Sequence, residues 1–327
     1  MKQRTTIQNW AEYLSVSAML AVVLVLPIRM VTAGLHGLSR VAFLVSRKRR
    51  DAALENVERT IGLERRSPQA REIVRASFES MALNFVEPLL ADRVMQRGKT
   101  IQDLVTVDGG EHLDAAFASG RPVLLCTGHF GSWEMMAVYL LHCYEPAWSL
   151  ARDLNNPLLQ RGLLARRMRH LRGNISKSEG GIKLARVMRR GEALGLLLDQ
   201  NAGRKGVILP FLGLPSSHHV SAGTLGRLFN AIPLPIYMVR VPGKFRFHLT
   251  VEAPIEVDRS LPDEEMEIDV TRRLSQSLEV QVRKSPEQWL WIHDRWRHAL
   301  RVLERDGEAV PATERSGVPA AQGTNGA

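Results

Sequence analysis

Cysteine is scarce in this sequence, and the motifs of nucleotide-binding enzymes are missing from it. Cys126 and Cys143 are the two cysteines among 327 residues, too few for a disulfide framework, and this low number favours a reducing compartment. Neither a P-loop nor a G-x-G-x-x-G turn occurs. The adjacent residues His218 and His219 would diverge on any regular backbone, which argues against a two-histidine metal site. We therefore expect no metal ion and no bound cofactor.

Basic residues outnumber acidic ones. Lys and Arg total 44 against 34 Asp and Glu, which gives a formal net charge of +10. The 45% apolar content excludes wholesale disorder, and the length suggests two domains or one large one. The charge is compatible with anionic lipid, nucleic acid or an acidic ligand as partner. Because the basic residues are scattered over several helices and form no known nucleic-acid motif, we expect no nucleic-acid partner.

The N-terminus carries the most apolar segment. Tyr13–Ile28 holds sixteen residues without a charge, about 24 Å of helix against the roughly 30 Å of a bilayer core, and Arg29 then interrupts it. A buried core helix and a signal peptide cleaved near Val31-Thr32-Ala33 are the alternatives. The basic cluster Arg47-Lys48-Arg49-Arg50 predicts that the following chain stays in the cytoplasm. We expect residues 1–45 to be an uncleaved anchor that spans the inner membrane or lies in it.

The sequence after residue 45 is predicted to divide into three segments. Residues 46–108 are expected to be helical, residues 109–305 to form the main domain, and residues 306–327 to be disordered. Short apolar runs alternate with amphipathic stretches in the main domain, which predicts an α/β fold with a largely parallel sheet flanked by helices. The predicted strands are 122–127, 147–151, 174–178, 193–199, 234–239 and 246–251, and the predicted helices are 132–142, 157–171, 181–190, 221–230 and 263–283.

A histidine and a glutamate follow the first buried strand of this domain. His129 lies two residues past the strand, and Glu134 lies near the start of the next helix, where α/β sheets bind their ligands. A bend at Gly128 and Gly131 would let Glu134 accept a hydrogen bond from His129, fixing its tautomer and leaving the other ring nitrogen as a general base. The helix start, with Ser132 as a possible cap, offers N–H groups to an anion. A surface histidine beside a glutamate that only favours the helix start is the alternative.

Several motifs in order resemble those of one enzyme family. His129-Phe130-Gly131-Ser132-Trp133-Glu134 resembles the His-x4-Asp/Glu motif of glycerolipid (lysophospholipid) acyltransferases. Residues 10–300 resemble the lipid A biosynthesis acyltransferases of the lauroyl/myristoyl type within that superfamily. The further motifs are Arg152 with Asn155-Asn156-Pro157, Asp199-Gln200, Pro210-Phe211-Leu212-Gly213, Pro286-Glu287-Gln288-Trp289-Leu290-Trp291-Ile292-His293 with Arg295-Trp296, and Asn56 in an early helix.

The resemblance implies a membrane-bound O-acyltransferase with a glycerolipid-acyltransferase-like fold. An acyl chain would pass from an acyl carrier protein thioester to a hydroxyl of a membrane glycolipid, a lipid A precursor, without a metal or nucleotide. His129 would be the general base, oriented by Glu134. From the resemblance we also expect five residues to bind the substrate: Arg152, Asp199, Gly131, Ser132 and Asn155. For Arg152 and Asp199, a structural ion pair or loop hydrogen bonds are the alternative.

Other functions stay open beside this one. The family also includes acyltransferases of mannosylated phosphoinositides and other lipids, so an acyl-CoA donor and another lipid acceptor are the nearest alternative. Ser216-Ser217-His218-His219 and Asp294 depart from the common forms of the motifs. A basic, membrane-peripheral protein that binds anionic lipid is the alternative without enzymatic activity. A thiol mechanism at Cys126 is disfavoured because a cysteine inside an apolar strand is usually inert.

Overall fold

The computed structural model describes residues 5–150, 156–167, 169–176 and 180–306, with the backbone alone for 163–167. Helices dominate its first hundred residues, and strands alternate with helices after them. The helices are α1 (Thr6–Val25), α2 (Ile28–Val45), α3 (Arg47–Ile61), α4 (Pro68–Asn84), α5 (Glu87–Met95), α6 (Gly110–Ala118), α7 (Trp133–Cys143), α8 (Pro157–Arg167), α9 (Gly180–Arg189), α10 (Ser221–Phe229), α11 (Asp263–Lys284) and α12 (Arg297–Asp306). The strands are β1 (Val105–Asp108), β2 (Val123–Thr127), β3 (Trp148–Leu150), β4 (Gly173–Ile175), β5 (Leu194–Leu197), β6 (Val207–Phe211), β7 (Leu214–His218), β8 (Ile232–Arg240) and β9 (Phe247–Val251).

A proline divides the uncharged N-terminal segment into two helices. Pro27 has no N–H to continue the hydrogen bonding of α1, and it precedes the first residue of α2. Among the described residues, α2 is the one helix long and apolar enough to cross a membrane. The predicted apolar run Tyr13–Ile28 is therefore not one helix, and the candidate span lies further along the chain.

The second helix packs against the protein along its whole length. Val31, Leu35, Ser39 and Phe43 are buried at a spacing of four residues, which places them on one stripe of α2. The stripe faces α4, where the ring of Phe43 meets that of Phe78 edge to face at 6.0 Å. The opposite face of α2 is exposed.

Seven strands form one sheet, in the order β1-β9-β8-β2-β5-β3-β4. The five strands from β8 to β4 run parallel, whereas β9 is antiparallel to β8 and parallel to β1. Alternate residues of β2 face opposite sides: Leu125 packs with α6 and α7, and Leu124 packs with α9, α10 and α11. The sheet is thus largely parallel and covered by helices on both faces, which confirms the predicted fold class.

The structure differs from the predicted elements at three places. The predicted helical segment 46–108 contains α3, α4 and α5, but its last residues form β1, which completes the sheet beside β9. Strands β6 and β7 form a separate hairpin that sequence analysis did not predict. Its turn places Leu212 and Gly213 at φ of 51° and 80°, the geometry of a tight hairpin turn. Helix α12 was also not predicted.

Candidate active site

Two neighbouring parallel strands bring His129 and Asp199 together. Thr127 of β2 pairs with Leu197 of β5. His129 lies two residues after Thr127 and Asp199 two residues after Leu197, so both follow their strands at the same edge of the sheet. His129 Nδ1 lies 2.7 Å from Asp199 Oδ1, and the backbone N–H of His129 donates to Asp199 Oδ2 at 2.8 Å. Asp199 is almost fully buried, whereas the His129 side chain keeps 13% of its exposure. The geometry therefore joins the two residues as an imidazole–carboxylate pair.

The second ring nitrogen of His129 faces the side chain of Gln200. The amide Nε2 of Gln200 lies 3.4 Å from His129 Nε2, so an N–H of the amide points toward this nitrogen. A protonated Nδ1 that donates to Asp199 leaves Nε2 as the acceptor for that N–H. The edge of the Trp133 indole also packs against the imidazole, with ring centroids 5.2 Å apart. In this tautomer, His129 Nε2 is the basic atom of the site.

The two partners shift each other's ionisation. Burial lowers the pKa of His129, but the negative charge and hydrogen bond of Asp199, with a further contribution from Glu134, outweigh burial and raise that pKa above its ordinary value. Burial raises the pKa of Asp199, yet His129 and the cation of Arg295 hold it well below its usual range. Asp199 is thus a permanent anion that stabilises the protonated form of His129.

A glycine shapes the turn that carries His129 into α7. Gly131 has φ of +59°, and a Cβ at this position would lie 2.0 Å from the backbone oxygen of Met238. Its N–H donates to the carbonyl of Gln288 at 2.9 Å, and the N–H of Ser132 donates to the carbonyl of Met238 at 2.6 Å. The N–H groups of these two residues, which precede α7, are therefore bound to the protein and are not available to an anion.

Ser132 belongs to a buried network instead of capping α7. Its hydroxyl donates to Glu87 Oε2 at 2.5 Å, and Glu87 forms a two-point ion pair with Arg240, at 2.5 and 2.8 Å. Arg240 also donates to the hydroxyl of Ser80 on α4. Ser132 is fully buried in this network. The prediction that its side chain caps α7 is wrong, because the hydroxyl is bound to Glu87 and anchors the turn to α4 and α5. Its predicted contact with a substrate stays a prediction.

The segment from Gln288 to Trp296 holds both loops of the site. The backbone N–H of Leu290 donates to the carbonyl of His129 at 3.1 Å, and Trp289 Nε1 donates to Asp199 Oδ2 at 2.9 Å. His293 Nε2 accepts the N–H of Asn201 at 3.0 Å. Asn56 of α3 secures this segment by donating to the carbonyls of Trp291 and His293. The three tryptophans of the motif, Trp289, Trp291 and Trp296, are all buried.

An apolar cavity opens beside the histidine. It has a volume of about 110 Å³ and lies between α7 and the strands β2, β3 and β5. Trp133 and Glu134 line the end near His129, and Leu140 and Ala147 line the wall further along α7. Leu140 lies seven residues beyond Trp133, which is about 10 Å along the helix axis. Its wall is mostly apolar, as is usual for small-ligand pockets.

The structure brings some of the predicted site residues together, whereas others lie outside the part of the chain that it describes. His129 and Asp199 are in direct contact, and Glu134 lies at the mouth of the cavity, where its charge helps to raise the pKa of His129. The hydrogen bond to Nδ1 that sequence analysis assigned to Glu134 is made by Asp199. Arg152 and Asn155 lie outside the described residues. Among the residues that the structure describes, no group of three or more metal-ligating side chains is placed to hold a metal ion.

Sequence reasoning missed part of the support for this pair. Asp199 was expected to bind substrate, and its contact with His129 follows from the pairing of β2 with β5, which the structure shows. Glu87, Arg240 and Asn84 have no local motif; Asn84 donates to the carbonyl of Gly131 at 2.8 Å from α4. Only the tertiary fold brings these three side chains to the turn.

Comparison with protein families decides the class of the chain. The family of bacterial lipid A biosynthesis acyltransferases matches residues 1–298. The chain belongs to this family. It is therefore an acyltransferase of the lipid A type, and the family supports acyl transfer to a lipid A-type glycolipid.

Similar proteins agree with this assignment. The lipid A biosynthesis palmitoleoyltransferase of Escherichia coli K12 is 27% identical over 77% of this chain and 79% of its own length. The lipid A biosynthesis lauroyltransferase of the same strain is 25% identical over 80% of this chain and 83% of its own. A phosphatidylinositol mannoside acyltransferase of Mycobacterium tuberculosis H37Rv is 27% identical over half of this chain. A solved 1-acyl-sn-glycerophosphate acyltransferase from Thermotoga maritima matches with a TM-score of 0.38 and 12% identity over 77% of this chain and 96% of its own, too weak a likeness to support an argument about the site.

Proposed function

We propose that this acyltransferase uses His129 as the general base and takes its acyl chain from an acyl carrier protein thioester. The acceptor is a hydroxyl of a lipid A precursor at the cytoplasmic face of the inner membrane. The observation that carries the proposal is the hydrogen bond between His129 Nδ1 and Asp199, which leaves His129 Nε2 as a base beside an apolar cavity. A base next to a cavity for a hydrocarbon chain is what transfer of an acyl chain to a hydroxyl requires.

The reaction is a direct transfer in this proposal. The acceptor hydroxyl attacks the thioester carbonyl while its proton moves to His129 Nε2, and a C–O bond forms. The tetrahedral intermediate then collapses as the C–S bond breaks, and the imidazolium returns the proton to the departing sulfur. Asp199 stabilises the imidazolium in between without accepting the proton itself, as the aspartate does in Ser-His-Asp enzymes. The products are an ester on the glycolipid and the free thiol of the carrier.

Glu134 has an electrostatic role in this scheme. Its carboxylate lines the mouth of the cavity, and its charge adds to that of Asp199 in raising the pKa of His129. A second anion at this position favours the protonated base that forms during the attack. Glu134 and His129 thus remain the proposed catalytic pair of the His-x4-Glu motif, with Asp199 added as the residue that orients the ring.

The apolar cavity is the proposed site of the acyl chain. Its end near Trp133 and Glu134 lies beside the base, so a thioester carbonyl placed there could direct its chain toward Leu140 and Ala147. The small residue Gly195 of β5 also lines the cavity and leaves it wide at that point. We infer that the length of this cavity sets the preferred acyl chain.

The two N-terminal helices are the proposed membrane-binding surface. The outward face of α2 exposes Leu38, Val41 and Leu44, while its inward stripe packs on α4. A helix that is packed against a globular body along its whole length is better suited to lie in the headgroup region than to cross the bilayer. The exposed basic residues Arg47 and Lys48 follow directly and would meet anionic lipid.

The direct experiment is an acyl-transfer assay with the purified protein in detergent. Thioesters of acyl carrier protein and of coenzyme A are supplied separately, each with a lipid A precursor as acceptor. We expect transfer from the carrier protein thioester, and a loss of about 10²–10⁴-fold in His129→Ala because the base is removed. His142→Ala serves as the matched control and should retain activity, because His142 lies on α7 with its ring hydrogen bonded to the carbonyl of Val138. Equal activity of wild type and His129→Ala would refute the assigned base.

A second acceptor has an observation in its favour. Phosphatidylinositol mannoside acyltransferases of mycobacteria are 27% identical to this chain over 43–50% of its length. The same assay with mannosylated phosphoinositide and acyl-CoA therefore decides between the two acceptors. Transfer to that lipid alone would replace the lipid A precursor in the proposal while keeping the role of His129.

A further inference from the structure

We propose that Arg295 is a positioning residue for His129 and that it acts indirectly, through Gln200 and Asp199. The guanidinium does not touch the ring of His129. Instead, it donates a hydrogen bond to the carbonyl of Gln200, the residue after Asp199, and its charge balances part of the charge of the Asp199 carboxylate. The inference rests on the proposed function of His129 as the base, and it adds a buried cation to that mechanism.

Arg295 is locked in place by several neutral groups. Its side chain is almost completely buried, with 1% exposure. Its Nη1 donates to the carbonyl of Gln200 at 2.8 Å, and its Nη2 donates to His218 Nδ1 at 2.8 Å. The guanidinium also lies over the ring of Phe211, 5.0 Å from the centroid. His218 is fixed in turn, because its other ring nitrogen lies 2.7 Å from the hydroxyl of Ser216.

The contact with Gln200 links Arg295 to the catalytic atom. Gln200 follows Asp199 directly, and its side-chain amide lies 3.4 Å from His129 Nε2. By donating to the carbonyl of Gln200, Arg295 fixes the backbone at Gln200, directly after Asp199. Displacing reacting groups by about 1 Å can cost on the order of 10²-fold in rate. Arg295 thereby positions the two side chains that lie at the ring nitrogens of His129.

The charge of Arg295 lacks a partner in direct contact. Among the residues that the structure describes, no carboxylate oxygen lies within 4.0 Å of its guanidinium. Arg295, Thr127 and Ser275 line the same small cavity. Within the described chain, Arg295 Nε and the hydroxyls of Thr127 and Ser275 are buried without a hydrogen-bond partner. A buried cation without a contact ion pair acts over a longer range because little solvent screens it.

Asp199 is the anion on which this field acts. Burial lowers the pKa of Arg295 to about 10, and the charge of Asp199 opposes that loss. The cation in turn helps to keep the pKa of Asp199 low. The ionisable groups near the pair are His129, Glu134 and His293 on the side of the proposed base. On the side of Arg295 they are His218, His219, Tyr237 and Cys126, which line the small cavity with it. Burial and the neighbouring Arg295 lower the pKa of His218 to about 3, so this histidine stays neutral and does not contribute a charge.

Removing the cation should therefore raise the pKa of His129. Without Arg295, the negative charge of Asp199 is no longer partly balanced, and the imidazolium is more stable. If Arg295 only supported the fold, its replacement would shift the pKa of His129 in the opposite direction. The site would open, His129 would lose its contact with Asp199, and its pKa would fall toward the ordinary value of about 6.5. The direction of the shift thus separates positioning from simple support of the fold.

The test measures the pKa of His129 directly in the full-length protein. Deuterium exchange at the histidine C2 position, followed over pH by mass spectrometry with fragmentation to separate His129 from His142, gives this value without any lipid substrate. We expect Arg295→Gln to raise the pKa of His129 by about half a unit or more and Arg295→Lys to change it less. Arg297→Met is the matched control, since Arg297 is 56% exposed and should leave the pKa unchanged.

The outcomes separate this inference from the proposed function. An unchanged or lowered pKa in Arg295→Gln overturns the inference, whatever the acyl-transfer assay gives. If Arg295→Gln does not fold, Arg295→Met is measured in its place with the same expectation. A raised pKa together with an inactive wild type would instead retain the role of Arg295 and refute the acyl-transfer chemistry.

Discussion

The indole Nε1 of Trp289 donates a hydrogen bond of 2.9 Å to Asp199 Oδ2, the oxygen that also accepts the backbone N–H of His129. The other oxygen, Oδ1, accepts from His129 Nδ1. Three N–H groups from two distant residues, His129 and Trp289, thus surround one buried carboxylate and fix its orientation. Such a pre-organised pair needs little rearrangement when charge develops on the imidazole.

Asp199→Asn should inactivate the enzyme without unfolding it. The amide keeps the size of the carboxylate, but it removes the anion and can present an N–H to His129 Nδ1, which favours the wrong tautomer. We expect kcat to fall by about 10²–10⁴-fold, in line with the loss of a general base or of its orientation in other enzymes. Circular dichroism checks the fold beside the kinetics. A variant within about threefold of wild type would contradict the role given to Asp199.

The pH profile of kcat/KM should fall on its acid side. The base must be neutral to accept a proton, and Asp199 raises the pKa of His129 above its ordinary value, so activity is lost as the pH drops through that raised pKa. Removing the anion in Asp199→Asn should move the acid limb to lower pH at a reduced rate. The measurement is kcat/KM from about pH 5 to 9. A limb that moves to higher pH in the variant would contradict the assigned ionisation.

Gly195 should control the length of the acyl chain that is accepted. A Cβ at Gly195 would meet the carbonyl of Trp148 at 3.6 Å, an ordinary contact, so side chains can be added here without a backbone clash. Gly195→Val should narrow the cavity and favour shorter chains by about tenfold or more in relative kcat/KM. Leu140→Ala, on the opposite wall, should shift the preference toward longer chains. Competition between thioesters of different length measures both, and parallel shifts in the two variants would rule out this cavity as the acyl site.

Gly131→Ala should destabilise the protein more than a glycine of similar conformation elsewhere. The added Cβ would collide with the carbonyl of Met238. Gly62 has φ of +80° but open space around it, so Gly62→Ala carries the conformational cost alone, about 1 kcal/mol. We expect about 3 kcal/mol or more for Gly131→Ala. Urea unfolding of both variants compares the costs, and equal values would show that the turn relaxes freely.

The outward face of α2 should hold the protein on the membrane. Leu38 and Leu44 are 55% and 60% exposed, and replacing both with Asp removes apolar area and adds negative charge. We expect binding to anionic vesicles to fall by at least about tenfold in the double variant. Ile182→Asp, which changes a 79% exposed residue on α9, is the matched control and should bind as wild type does. Unchanged binding of the double variant would place the membrane contact elsewhere.

The sequence predicted the local features of the site well. The apolar run before His129 predicted a buried strand, and a second apolar run predicted the strand that ends at Asp199, because each signal lies within a few residues. The position of Gly131 in a bend was also readable, since a turn between a strand and a helix favours glycine.

What the sequence could not show depends on distant contacts. The choice between Asp199 and Glu134 as the partner of Nδ1 follows from which strand lies next to β2, and strand order is not a local property. The helix break at Pro27 was readable, but the packing of α2 on α4 required the tertiary structure. The buried pair of Glu87 and Arg240 joins residues about 150 positions apart, for which one sequence contains no signal.

The central claim is that the protein, with His129 as its general base, transfers an acyl chain to a lipid A-type acceptor. The composition of cell lipids tests this claim most directly. A strain that lacks the gene is complemented with wild type or with His129→Ala, and its lipid A is measured by mass spectrometry. We predict that wild type restores a lipid A species heavier by one acyl chain and that His129→Ala, present at equal level, does not. Identical lipid A in both complemented strains would contradict the claim.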